Sequence, residues 1–109
     1  MQTTTPSIPI LHEYPYLSQL CDAYLFSDYT IYGPEPADAV TAYARDEGWL
    51  DIVAARADIR RFMAFYRDSL DQELARRYPD LARLPDQSAA DFLTWLDAQL
   101  LHHQASVKP

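Results

Sequence analysis

The chain has 109 residues, one domain's worth, and 49% of them are hydrophobic against 23% charged, the balance of an ordinary globular protein and not of a disordered tail. A chain of this size can bury enough surface to fold without metal or disulfide, and the single Cys21 leaves no internal disulfide to form. Sixteen acids against nine bases give a net charge of −7, and −6 of it lies in residues 1–48, where seven acids face only Arg45; such a field repels phosphate backbones and argues against nucleic acid as a direct ligand.

Residues 1–13, with Thr3, Thr4, Thr5, Pro6 and Pro9, read as a loose N-terminal arm. The segment has neither a basic start nor a long apolar run, so a secretory signal is not expected. No stretch approaches the roughly 18 apolar residues of a membrane span, and a cytoplasmic protein is expected. The first helix opens at Tyr14-Pro15 and carries Leu17, Leu20, Cys21, Tyr24 and Leu25 at helical spacing, with Ser18, Gln19 and Asp22 toward water. Residues 27–36 lose that period, and two prolines flanking Glu35 make them a loop.

A second helix runs from about Pro36 to Gly48, its stripe Ala39, Val40, Tyr43 and Ala44. The third, about Trp49 to Tyr66, is the clearest: Ile52, Ala55, Ile59, Phe62, Met63 and Tyr66 share one face. Ser69 and Gln72 have the spacing of a capping box, and a short fourth helix with Leu70, Leu74 and Tyr78 stops before Pro79. After a turn-rich stretch over 79–87, Ser88 caps a last helix to about His103 with Ala89, Phe92, Leu93, Leu96 and Leu100 inward. The fold class expected is all-α, a single-domain bundle of about five helices spanning 14–104, with a tail at 105–109.

Catalytic and metal chemistry find little support. His12 lies in the arm, and the adjacent His102 and His103 diverge by about 100° on a helix, which leaves them without a shared ion. Cys21 falls on an apolar stripe and reads as a buried small hydrophobe, with no base beside it. Gly33 and Gly48 are the only glycines, too few for a phosphate loop. Asp46-Glu47, with Arg45 adjacent, reads as a solvated charge cluster. Arg56, Arg60, Arg61 and Arg67 interleave with Asp51, Asp58 and Asp68, the pattern of a salt-laced exposed face and not of a nucleic-acid stripe. No cofactor, no metal and no enzymatic activity are expected.

Tyrosine is the unusual feature: six of the eight fall in the acidic first half. Tyr24 and Tyr43 sit on helix stripes and belong to the core. Tyr29 and Tyr32 lie in the loop beside Asp28 and Glu35, where two readings stay open: interface anchors, or a lid folded back on the core. An acidic, tyrosine-bearing loop without catalytic groups suits a basic protein partner.

The segment from Tyr14 to Glu47 resembles the small α-helical immunity proteins of bacterial contact-dependent growth inhibition, the CdiI type. The residues that carry this are Tyr14-Pro15-Tyr16-Leu17, Gln19-Leu20, the run Ala23-Tyr24-Leu25-Phe26-Ser27-Asp28-Tyr29, Tyr32-Gly33, Ala39-Val40 and Tyr43, with a looser continuation through Ile52, Ile59 and Met63. Leu25 stands between Tyr24 and Phe26, where the family pattern has adjacent aromatics. The resemblance implies a cytoplasmic protein that binds and neutralises the C-terminal toxin domain of an effector delivered by a neighbouring cell, often a nuclease with a basic cleft. The candidate contact set is Asp22, Asp28, Tyr29, Tyr32, Glu35 and Asp38, with Asp28 also able to brace its own loop. The competing readings are a small helical interaction adaptor or chaperone-like module, which would bind through an apolar groove, and a small enzyme with a pocket at His102 or Cys21.

Overall fold

Two prolines and one glycine set the boundaries of the first three helices. In the computed structural model, which describes residues 13–83 and 86–106, α1 spans Pro15–Ala23, α2 Pro36–Glu47 and α3 Trp49–Phe65, each proline standing where its missing N–H costs no helical bond. Gly48 has φ +88°, a left-handed conformation that a side chain would strain. Its N–H closes α2 on Ala44 O at 3.2 Å while its own carbonyl accepts Ile52 N–H at 3.1 Å, so one residue ends α2 and begins α3. α4 follows at Leu70–Arg77 and α5 at Ala89–Ser106. The described residues form an all-α domain of five helices, as the periodicity predicts.

α3 and α5 form the spine: α3 packs on α1, α2 and α5, and α5 also carries α2 and α4. Their shared core holds Leu17, Leu20, Tyr43, Ile52, Ile59, Phe62, Leu74, Phe92, Leu96 and Leu100, all fully buried. Each such side chain contributes about 1.5–3 kcal/mol relative to exposure. The connection after α4 is tied down where Ala82 N–H donates to Leu25 O at 2.8 Å, just beyond α1.

Four expectations need correction. Ser18 does not face water freely: it is half-buried, its Oγ 2.8 Å from the Tyr78 hydroxyl. The salt-laced exposed face is broken at Asp58 and Arg56. Asp58 is only 3% exposed, and its Oδ2 accepts the N–H groups of Tyr16 at 2.8 Å and Leu17 at 3.1 Å, with Arg61 paired to the other oxygen. Tyr14 offers α1 no capping side chain, so the orphan donors of its first turn are met by a carboxylate from α3. Arg56 is largely covered and clasps α5, with Nε to Asp97 Oδ1 at 2.8 Å and Nη1 to Gln104 Oε1 at 2.9 Å. The capping box at Ser69 does not form, because its ψ of 30° lies outside the extended geometry that aims a hydroxyl at the first turn. Finally, α5 runs to Ser106, past the end expected at His103 and into the first two residues of the expected tail. At its other end Ser88 caps as predicted, its Oγ accepting Asp91 N–H at 3.0 Å, and Asp71 Oδ1 adds a bond to Ala89 N–H at 2.6 Å.

The arginine-rich side of the bundle gathers at α1 and α4. Arg77 donates to the Tyr66 hydroxyl at 2.7 Å and Glu13 Oε1 at 3.0 Å, and lies over the rings of Tyr66 at 5.2 Å and Tyr14 at 5.5 Å. Phe62 meets Tyr14 edge-on at 5.2 Å and completes the cluster.

Candidate functional site

The acidic half is built around Tyr24, the residue that closes α1. Buried there, Tyr24 stacks on Tyr32 at 5.2 Å and meets Tyr43 edge-on at 5.3 Å. Its hydroxyl donates to Glu47 Oε2 at 2.7 Å and contacts Asp46 Oδ2 at 3.5 Å, while the Tyr43 hydroxyl donates to the Asp51 carbonyl at 3.2 Å. Burial first, then the neighbouring carboxylates, push both phenols far above their ordinary range, so they act as hydrogen-bond donors throughout the physiological range. Glu47 therefore braces the core, whereas Asp46 pairs with the exposed Arg45 at 3.1 Å as the cluster reading expects.

Between α1 and α2 the chain makes a single 3-10 turn, Tyr29–Ile31. Tyr32 folds back, its hydroxyl donating to Ala23 O at 3.0 Å, and Tyr29 is likewise half-buried against the core. Asp28 precedes the turn with no side-chain cap to it, its carboxylate exposed. Gly33 has φ +152° and sits against α2, where an added Cβ would lie 2.6 Å from the Asp38 side chain. That side chain is engaged: Asp38 Oδ2 accepts Glu35 N–H at 2.9 Å and fixes the start of α2.

The six expected contact residues thus divide. Asp22, Asp28 and Glu35 are exposed, and among the described residues none of them forms an ion pair. Burial, and then the Asp80 charge, raise the Asp22 carboxyl above its usual range. Tyr29 and Tyr32 are turned toward the core, as the lid reading has it, and Asp38 serves the helix start. Tyr29, Tyr32, Glu35 and Asp38 gather at one loop, while Asp22 stands apart on α1 near Asp80. Two features escape sequence reasoning. Ile31, at the turn's end and outside every helical stripe, is 70% exposed. An open cleft of about 520 Å³ lies between this loop, the start of α2 and α5, with Tyr29, Glu35, Pro36, Ala82, Phe92 and Trp95 on its walls.

Among the described residues, the cleft lining contains no histidine or cysteine. Cys21 is buried, and burial drives its thiol far above the ordinary range, leaving no thiolate to react. The rings of His102 and His103 lie 5.3 Å apart, with His103 Nε2 3.3 Å from Thr41 Oγ1, and burial followed by His102 lowers His103. His12 lies outside the described residues, and among those described no three His, Cys, Asp or Glu side chains are placed to hold a metal. Likewise no described helix is long and apolar enough to cross a membrane.

A family model described as CdiI immunity protein matches residues 13–100, which carries the likeness well past Met63 and through α4 and most of α5. No curated protein and no solved structure matches the chain.

Proposed function

The chain belongs to the CdiI immunity protein family of contact-dependent growth inhibition, and from that premise we propose that it neutralises its cognate toxin by stoichiometric binding in the cytoplasm, without chemistry of its own. One observation carries the reading: the carboxylates of Asp22, Asp28 and Glu35 are exposed and form no ion pair among the described residues. Exposed acids on an inhibitor suit a basic toxin domain, and a nuclease above all, because its cleft must hold phosphates with Lys and Arg. Carboxylates set where phosphates would sit compete for the same cations. They also steer encounter, raising association rates from about 10⁵–10⁶ M⁻¹s⁻¹ toward 10⁸–10⁹ M⁻¹s⁻¹ at low salt.

The test is protection followed by titration. Cells expressing the toxin domain encoded immediately upstream are scored for growth with and without this chain, and the complex is titrated at two salt concentrations. Rescue together with a one-to-one, salt-weakened complex is the expected result. A variant with lysine at positions 22 and 28 should associate at least about tenfold more slowly at low salt, and the difference should shrink as salt rises. Glu35 and Asp38 are best left intact, since they cap each other at the start of α2. Rescue with salt-independent affinity would retain the function and move the interface to the cleft beside Trp95, the arrangement an adaptor would use. Absence of both rescue and binding would defeat the toxin reading.

A further inference from the structure

The loop between α1 and α2 recruits its aromatic residues inward and leaves one aliphatic side chain out. We propose that Ile31 is the apolar anchor by which the chain grips its toxin, entering a pocket rimmed by lysine or arginine; this rests on the toxin-binding reading above.

Three observations support it. The loop is held in one shape by consecutive backbone bonds: Tyr29 N–H to Phe26 O at 2.9 Å, Ile31 to Asp28 at 3.1 Å, Tyr32 to Tyr29 at 2.9 Å and Gly33 to Thr30 at 3.2 Å. Tyr32, stacked on Tyr24 and bonded to Ala23 O, pins the turn's far side, and Gly33 seats it so closely on Asp38 that no Cβ fits between. A side chain presented from so fixed a backbone has little freedom left to lose, and isoleucine, stiff at χ1, has little of its own. The second observation is exposure: Ile31 stands 70% exposed while Tyr29 and Tyr32 on either side are half-buried. The third is charge. Along the chain Asp28 and Glu35 bracket it with exposed carboxylates that form no ion pair among the described residues, so the surface receiving Ile31 carries cations around an apolar centre, the arrangement in which a dry anchor sits inside a polar rim. Leu50 and Phe65 are comparably exposed but project from a helix, and Phe65 already leans edge-on against Tyr66 at 4.8 Å.

The experiment titrates the cognate toxin domain with the unsubstituted chain, Ile31→Ala, Ile31→Asp, Gly33→Ala, and the controls Leu50→Ser and Phe65→Ser. Both Ile31 variants should bind at least about tenfold more weakly through faster dissociation; for Ile31→Ala the ratio should be little changed by salt, because the lost contact is short-range, whereas the added charge of Ile31→Asp makes its ratio salt-dependent. Gly33→Ala should weaken binding too, since it unseats the loop, while the helical circular dichroism stays that of the parent. The Leu50 and Phe65 variants should remain within about twofold. If the unsubstituted chain binds and the Ile31 variants match it, the anchor is wrong and toxin binding stands. Equal losses at Leu50 or Phe65 would overturn the assignment as well, and failure of the parent chain to bind would overturn both readings.

Discussion

Two tyrosine clusters flank the bundle and handle charge in opposite ways. Around Tyr24, Tyr32 and Tyr43 the hydroxyls meet carboxylates or carbonyls, and the aromatic faces stack on one another. Around Tyr14, Phe62 and Tyr66 the faces receive guanidinium groups, with Arg61 5.1 Å above the Tyr14 ring and Arg77 spanning both tyrosines. The arginine cluster spends its charge internally, since Arg77 is tied to Glu13 and Glu73 and Arg61 to Asp58. The acidic cluster commits Glu47 and the Glu35–Asp38 capping box to the fold, and Asp22, Asp28 and Glu35 form no ion pair among the described residues. Residues 49–83, with seven arginines and six acids, stand at +1, against −6 for residues 1–48. One side pairs its charges internally, and the other leaves three exposed carboxylates outside any ion pair among the described residues.

The sharpest way to break this contrast is Asp58→Ala. It strands two helix-start N–H groups and leaves Arg61 without its buried partner, so unfolding free energy should fall by about 3 kcal/mol in a denaturant titration. A loss below about 1 kcal/mol would mean that the carboxylate is not what holds α1 in place. Next comes Arg77→Leu, expected to cost about 2 kcal/mol by removing the stacked cation and its ion pairs; Arg77→Lys should recover only part, because an ammonium cannot span Tyr66 and Glu13 together.

The acidic cluster predicts a pH signature. Tyr24, Tyr43 and Tyr78 are raised above the ordinary 10.0 by burial, so above pH 10 the unfolded chain releases protons that the fold retains. Stability from these phenols is complete below that pH and declines as pH rises past it. Tyr24→Phe should flatten the decline in alkaline melts and cost about 1 kcal/mol at neutral pH, where Glu47 loses its donor. The smallest effect should come from Asp22→Asn. Its raised carboxyl opposes folding once ionised, so the amide should stabilise slightly at pH 7, by no more than about 0.5 kcal/mol, while slowing toxin association. A variant that loses both stability and association would erase the distinction between the two sides.

Helix boundaries were readable in the chain because Pro15, Pro36, Gly48, Pro79 and Ser88 act locally, through backbone geometry that neighbouring residues determine. The roles of Asp58 and Arg56 were not, because a charged residue inside a helical pattern reads as solvent-facing until its partner, some 41 residues away, is in place. Spacing held a hint: Asp58 stands three residues after Ala55 and four before Phe62, on the buried stripe itself. At the candidate site, the exposure of Asp22, Asp28 and Glu35 follows from composition, whereas the inward turn of Tyr29 and Tyr32 depends on Tyr24 and the core being available to receive them. Ile31 carried no signal of its own, since its exposure depends on two larger neighbours, Tyr29 and Tyr32, occupying the inside.

Gly48 has one more consequence. Because the same residue closes α2 and opens α3, no slack separates the two helices, and each residue inserted there would swing the whole downstream register by about 100°. Such a rotation would carry Ile52, Asp58 and Phe62 off the interface with α1 and α5 together. The joint behaves as a fixed gear between the acidic half and the spine. Changes in chain length are better absorbed between α4 and α5, where the described residues 79–83 and 86–88 commit to no helical phase.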